Sequence, residues 1–233
     1  MSKVGIIGGL GPEATIIYYQ GIIRQYQQRV GSQEDLPELT IESVNMYRVF
    51  QLIDQNRTDE LVDYLLRAAR HLKASGADFA AMCGLTPHLV FPALQASSSL
   101  PLVSIIDTAY ERARHLGLTR LGLLGTKFTM THDFFQRPFE ERGINVIVPP
   151  ADQQAYIHQK IVTELENGIV KPDTKSAFLK IVQMMMSKDN IDGLVLGCTE
   201  LPLLLHSNDV EVSVLDIAQI HIDALVDKMF AES

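Results

Sequence analysis

The sequence predicts an α/β protein built as two halves of one design, each a set of βα units around a mostly parallel sheet. Two observations carry this. Short apolar runs rich in Val and Ile alternate with longer segments of helical period, the pattern of strand and crossover helix. The chain also resembles itself. "KVGIIGGLGPEA" from Lys3 aligns with "RLGLLGTKFTMT" from Arg120 at an offset of 117, and "DFAAMCGLT" from Asp78 aligns with "DGLVLGCTE" from Asp192 at an offset of 114.

In chain order, strands are expected at 3–8, 39–45, 78–83, 101–105, 120–125, 144–148, 192–197 and 212–215. Helices are expected at 13–29, 58–74, 107–116, 132–142, 152–166, 174–187 and 217–230. Pro12 suits the first turn of the first helix, where its missing N–H would be unpaired anyway. The near-equal offsets place one half at 1–103 plus 216–233 and the other at 104–215, with a hinge near 103–118 and the last helix returning to the first half. Ligands of open α/β sheets bind beyond the carboxyl ends of the strands, so facing halves would set their strand-end loops around one cleft.

Composition narrows the function classes. Apolar residues make up 46% and charged residues 21% of 233, a balance that folds rather than stays disordered. A formal charge of −8 argues against a nucleic-acid partner, which demands clustered Lys and Arg. No window approaches the roughly 18 apolar residues of a membrane helix, and the glycine-rich N-terminus does not read as a signal peptide. Cys83 and Cys198 lie 115 positions apart with no zinc-like spacing around them, so reduced thiols in a cytoplasmic protein are expected.

The strand-end loops hold the candidate chemistry. Under the second alignment Gly84 stands in the place of Cys198, and Cys83 stands opposite Gly197. Because side chains alternate along a strand, Cys83 should point away from whatever Gly84 faces and behave as a small core residue. Cys198 follows glycine at a strand end and precedes Thr199 and Glu200, where backbone N–H groups at a helix start would favour its thiolate. In "GGLGPEA", Gly9, Gly11 and Ala14 have GxGxxA spacing, a weak dinucleotide signature. The plainer reading is a tight turn at Leu10 and Gly11 whose backbone approaches a carboxylate. In "GTKFT", Thr126 and Thr129 offer hydroxyls to a second carboxylate, or simply cap a helix. Arg48 is a candidate charge partner for an acid substrate, and His88, His206 and His221 share no metal-like spacing.

Those residues carry a family resemblance. With "GIIGGLGPEAT" at 5–15, "TPH" at 86–88, "LGLLGTKFTM" at 121–130, "GCTELP" at 197–202 and "LDIAQIH" at 215–221, the chain resembles the cofactor-independent aspartate/glutamate racemases over almost its whole length. The resemblance implies two pseudo-symmetric Rossmann-like domains with mostly parallel sheets, the active site in the cleft between them, no cofactor or metal, and a homodimer. It also implies two cysteines facing each other, one in a CNTxH motif and one in GCTE, that pass a proton to and from the α-carbon of an amino acid. Two groups are needed because one group on one face would return the proton where it came from.

Carried over, Cys198 matches the second cysteine, with Thr199 and Glu200 in step. Thr86 and His88 match the first motif, which sets Gly84 at the first cysteine and Leu85 at the asparagine. Glycine there offers only room for a water or a larger ligand. Arg48 lies about where aspartate-specific members bind the side-chain carboxylate, whereas the lysine such members use on the helix at 152–166 has only Lys160 and Lys171 near it. The sequence therefore predicts a racemase of an acidic amino acid with Cys198 retained. Its alternatives are a one-base lyase, decarboxylase or isomerase on another carboxylate, or a carboxylate-binding protein without turnover.

Overall fold

A computed structural model describes residues 1–231 and contains two four-stranded parallel sheets. Contacts divide the chain into Met1–Thr108 with the segment from Ala218 onward, and Ala109–Ile217.

In the first unit β1 (Val4–Gly8) leads to α1 (Pro12–Val30), β2 (Leu39–Ser43), α2 (Met46–Asp54), α3 (Thr58–Ala74), β3 (Phe79–Met82), α4 (Phe91–Ser97), β4 (Leu102–Val103) and the start of α5 (Ile105–His115). The strand order is β2-β1-β3-β4. β1 and β3 are buried along their whole length, as central parallel strands must be, so both sheet faces need covering. On one face Leu61, Leu65 and Leu72 of α3 pack on Ile7, Ala80 and Met82. Each fully buried leucine contributes about 1.5–3 kcal/mol of transfer free energy. Tyr18 and Ile22 of α1 join Ile222, Leu225 and Met229 on the other face.

In the second unit β5 (Arg120–Leu124), α6 (Lys127–Thr131), α7 (Gln136–Glu140), β6 (Asn145–Ile147), α8 (Ala151–Thr163), α9 (Pro172–Asp189), β7 (Gly193–Leu196) and β8 (Ser213–Asp216) precede α10 (Ile217–Ala231). The order β6-β5-β7-β8 repeats that of the first sheet. Ile157 and Ile161 of α8 and Phe178, Val182 and Met185 of α9 form its core with Leu194 and Leu196.

Pairing within each sheet matches the internal repeat. Ile7 sits beside Met82 in the first sheet and Leu124 beside Leu196 in the second, which are the same pairs displaced by 117 and 114. The carboxylate of Asp78 accepts the Lys3 N–H at 2.7 Å, and that of Asp192 accepts the Arg120 N–H at 2.9 Å.

Three helices depart from the expectation. The segment 132–142 is not one helix: α6 ends at His132, which is extended at φ −102° and ψ 145°, and α7 starts only at Gln136. Phe128 packs on Phe134 across the break while Phe135 stacks on Phe139 of α7, and together they mimic a helical period. α2 and α4 lie where no helix is expected. The signal for α2 was Asn45, whose side chain caps the N–H groups of Tyr47 and Arg48. Among the described residues no helix is long and apolar enough to cross a membrane.

Candidate active site

The two strand-end positions that the repeat equates are occupied very differently. After β7, Gly197 donates to the Leu124 carbonyl at 2.7 Å and the next side chain, Cys198, is half-buried. Its Sγ donates to Glu200 Oε2 at 2.8 Å, and the Thr199 hydroxyl donates to Glu200 Oε1 at 2.8 Å. One carboxylate thus receives both neighbours. Burial, then the Glu200 charge and the hydrogen bond to it, push the Cys198 thiol well above its ordinary range, with Glu166 adding in the same direction. This corrects the expected thiolate. Only a 3-10 turn at Leu201–Leu203 follows Cys198, too little helix to offset a carboxylate in contact. The resting group is a thiol with a proton acceptor attached.

After β3, Cys83 donates its N–H to the Ile7 carbonyl at 3.2 Å, as Gly197 does to Leu124. Its side chain is fully buried with Val4, Tyr18, Phe79 and Ile222, where burial raises its pKa and the Thr15 hydroxyl at 3.3 Å is its partner. The next residue, Gly84, is the equivalent of Cys198. A Cβ on Gly84 would lie 2.7 Å from the Leu10 carbonyl oxygen and 3.1 Å from Leu10 Cβ. The expected room for a water is therefore filled by the backbone of the β1–α1 loop.

That loop owes its path to two left-handed glycines, Gly9 at φ 74° and Gly11 at φ 70°. A Cβ on Gly9 would meet the Val44 carbonyl at 2.1 Å. The Gly9 N–H, which a bound phosphate would need, is already given to Thr15 Oγ1 at 2.8 Å, and this weighs against a dinucleotide loop. In the second unit Thr126 takes an ordinary φ of −63° and caps α6, accepting from the Thr129 N–H at 3.4 Å. Thr129 is buried with its hydroxyl 3.1 Å from that of Thr126, so the two hydroxyls meet at the start of α6.

Leu85 is buried in the first unit, whereas Thr86 is half-buried at the start of a 3-10 turn. His88 is buried in the same turn. Arg48 is exposed on α2, its guanidinium 4.9 Å from the centroid of the Tyr64 ring, and its charge acts on Glu60. Lys160 and Lys171 both pair with the buried Glu164, at 2.6 and 3.2 Å, and the Thr174 hydroxyl completes that site. Glu166 is the residue near Cys198 that sequence reasoning missed. Among the described residues no group of three or more His, Cys, Asp or Glu could hold a metal ion.

The Asp/Glu/hydantoin racemase family model matches residues 7–225. The chain belongs to that family. The broad specificity amino-acid racemase RacX of Bacillus subtilis is 24% identical over 218 residues, 91% of this chain and 92% of RacX. Among solved structures, an aspartate racemase homologue from Pyrococcus horikoshii is 36% identical with a TM-score of 0.87, covering 98% of this chain and 99% of that one. A Yersinia pestis protein assigned as an Asp/Glu racemase is 30% identical with a TM-score of 0.92 over 98% and 99%. Within that family match lie both strand-end positions, Gly84 after β3 and Cys198 after β7.

Proposed function

We propose that the protein is a cofactor-independent racemase of an acidic amino acid, acting at the α-carbon with Cys198 on one face and Gly84 where the first cysteine would stand. The observation that carries the reading is the Cys198–Glu200 contact of 2.8 Å. Glu200 takes the thiol proton, and the thiolate then removes the α-proton of one enantiomer. Inversion is completed when a solvent water gives a proton to the opposite face of the α-carbanion and the proton on Glu200 neutralises the hydroxide left behind; the other enantiomer runs the same steps backwards, with Cys198 delivering its proton. Thr199 fixes the second oxygen of the same carboxylate, holding it in place for the exchange. Arg48, exposed on α2, is the proposed partner of an acidic side chain in the substrate, and the turn at Leu10 and Gly11 is the proposed seat of its other carboxylate. Partner and setting follow the same reading: a free amino acid as ligand, the cytoplasm, and a homodimer that would cover exposed apolar side chains such as Tyr47 and Phe50.

Gly84 favours a second reading, in which proton transfer is one-sided and the enzyme is a one-base lyase, decarboxylase or isomerase. No side chain at that position can carry a proton. Incubation of the protein with L- and D-glutamate and aspartate in D₂O, without added pyridoxal phosphate or metal, separates the readings. Racemisation yields the opposite enantiomer bearing deuterium. Deuterium entering one enantiomer without inversion supports the one-sided reading, and no exchange into any of the four sinks the racemase.

A further inference from the structure

Two buried histidines that the proposed proton transfer does not use meet at one corner of the first unit. We propose that His88 and His221 form a neutral two-histidine clasp on the β4–α5 corner, in which His88 is the positioning residue that holds the Gly84 carbonyl and with it the segment Gly84–Thr86.

The hydrogen bonds fix both tautomers. The Ile105 N–H donates to His88 Nε2 at 3.3 Å, so that nitrogen must be bare and Nδ1 must carry the proton. Nδ1 lies 2.9 Å from the Gly84 carbonyl oxygen and donates to it. His221 has the opposite arrangement. Its Nε2 lies 3.2 Å from the Val103 carbonyl oxygen and must donate, leaving Nδ1 to accept from the Tyr18 hydroxyl at 2.8 Å. One imidazole thus holds the last residue of β4 and the other the first residue of α5.

The clasp is also fixed by packing. His88 is 2% exposed and stacks on Phe91 of α4 at 5.1 Å, and His221 is 0% exposed with the Tyr18 ring edge-on. From α5, Asp107 favours the charged form of His88, while His88 itself disfavours the charged form of His221. Burial outweighs these and holds His88 down to about 4 and His221 to about 3, so both are neutral near pH 7. A proton on His88 Nε2 would face the Ile105 N–H donor and break the corner.

This inference rests on the reading that Gly84–Thr86 border the substrate, so its test needs readouts besides turnover. In the full chain, ¹⁵N-histidine NMR should show an Nδ1–H and an Nε2–H tautomer that stay neutral well below pH 6.5. His88→Phe keeps the stacked ring and removes both hydrogen bonds. It should speed amide exchange across residues 84–88 by about tenfold without opening the sheet. It should also raise KM for the turned-over amino acid by about fivefold with a smaller change in kcat. His88→Asn, whose side chain can still donate to the Gly84 carbonyl, should recover most of both effects, whereas His88→Gln should not. Should wild type turn nothing over, the function reading falls while the NMR and exchange arms still decide the clasp. If His88→Phe does not fold, the wild-type tautomers and titration decide it. The opposite tautomers, titration near 6.5, or unchanged exchange in a folded His88→Phe would overturn the clasp.

Discussion

The two strand-end loops are the same design filled in two ways. In the second unit Thr126 takes an ordinary backbone conformation and the equivalent strand end carries the Cys198 side chain. In the first unit two left-handed glycines flank Leu10, and its carbonyl stands where a side chain on Gly84 would go. Gly84 is therefore not simply Cys198 with its side chain removed. Neighbouring backbone fills the position, so glycine at 84 and the path of the loop at 9–11 have to be considered together.

Acid should separate the units most strongly. His88 and His221 have folded values of about 4 and about 3 against an ordinary 6.5, so the unfolded chain binds more protons in between. Their contribution is complete above pH 6.5 and is lost as the pH falls, at about 1.4 kcal/mol per pH unit for each histidine. The loss levels off below the folded values. In the second unit, hydrogen bonds from Lys160 and then Thr174 hold Glu164 at about 2, so its contribution is complete above about 4.5 and is lost only as the pH falls towards 2. Between pH 6.5 and 4.5 amide exchange should rise in first-unit peptides before second-unit ones. Simultaneous opening would break the distinction.

Next comes the thiol. Cys198→Ala should lower α-proton exchange by about 100-fold or more. Cys83→Ala should leave exchange within about twofold and cost about 1 kcal/mol of stability, because a small fully buried group is removed. Exchange rates in D₂O and thermal melts measure both, and equal loss of exchange in the two variants would contradict the assignment of roles. Gly84→Ala should then destabilise by about 1–3 kcal/mol, since backbone at Leu10 must move. Gly84→Cys should be destabilised likewise, with little gain in racemisation. A large gain with unchanged stability would show that the loop yields easily.

Much of this was legible in the sequence. All eight strands and the equivalence of Gly84 with Cys198 follow from apolar runs and repeat offsets, which depend only on local pattern. What could not be read was the contact between Leu10 and Gly84, which joins residues 74 apart and depends on backbone conformation. The protonation state of Cys198 is hidden from the sequence for a similar reason. The sequence places Glu200 two residues on, but whether that carboxylate turns toward the sulfur is decided by the fold. In the sequence His88 and His221 share no telling spacing, and the corner they both hold exists only in the fold.

Glu200→Gln sharpens the comparison with a split result. Removing the carboxylate removes charge and hydrogen-bond effects that both raise the thiol pKa, so iodoacetamide should alkylate Cys198 faster at pH 8. Turnover should nonetheless fall by about tenfold, because the proton acceptor is gone. Faster alkylation with full turnover would leave Glu200 out of the proton path.

The smallest expected effect concerns the helix starts behind the two loops. α1 begins at Gly11 with no side-chain cap, whereas α6 begins at Thr126, which accepts from the Thr129 N–H. Thr126→Ala should cost about 0.5–1 kcal/mol, the low end for a lost cap because the bond is long at 3.4 Å. Thr126→Ser should restore it. If Thr126 only caps, KM is unchanged in both variants; if it also holds a substrate carboxylate, Thr126→Ala raises KM while Thr126→Ser does not. Paired melts and kinetics therefore decide whether the second loop, like the first, contributes backbone placement alone.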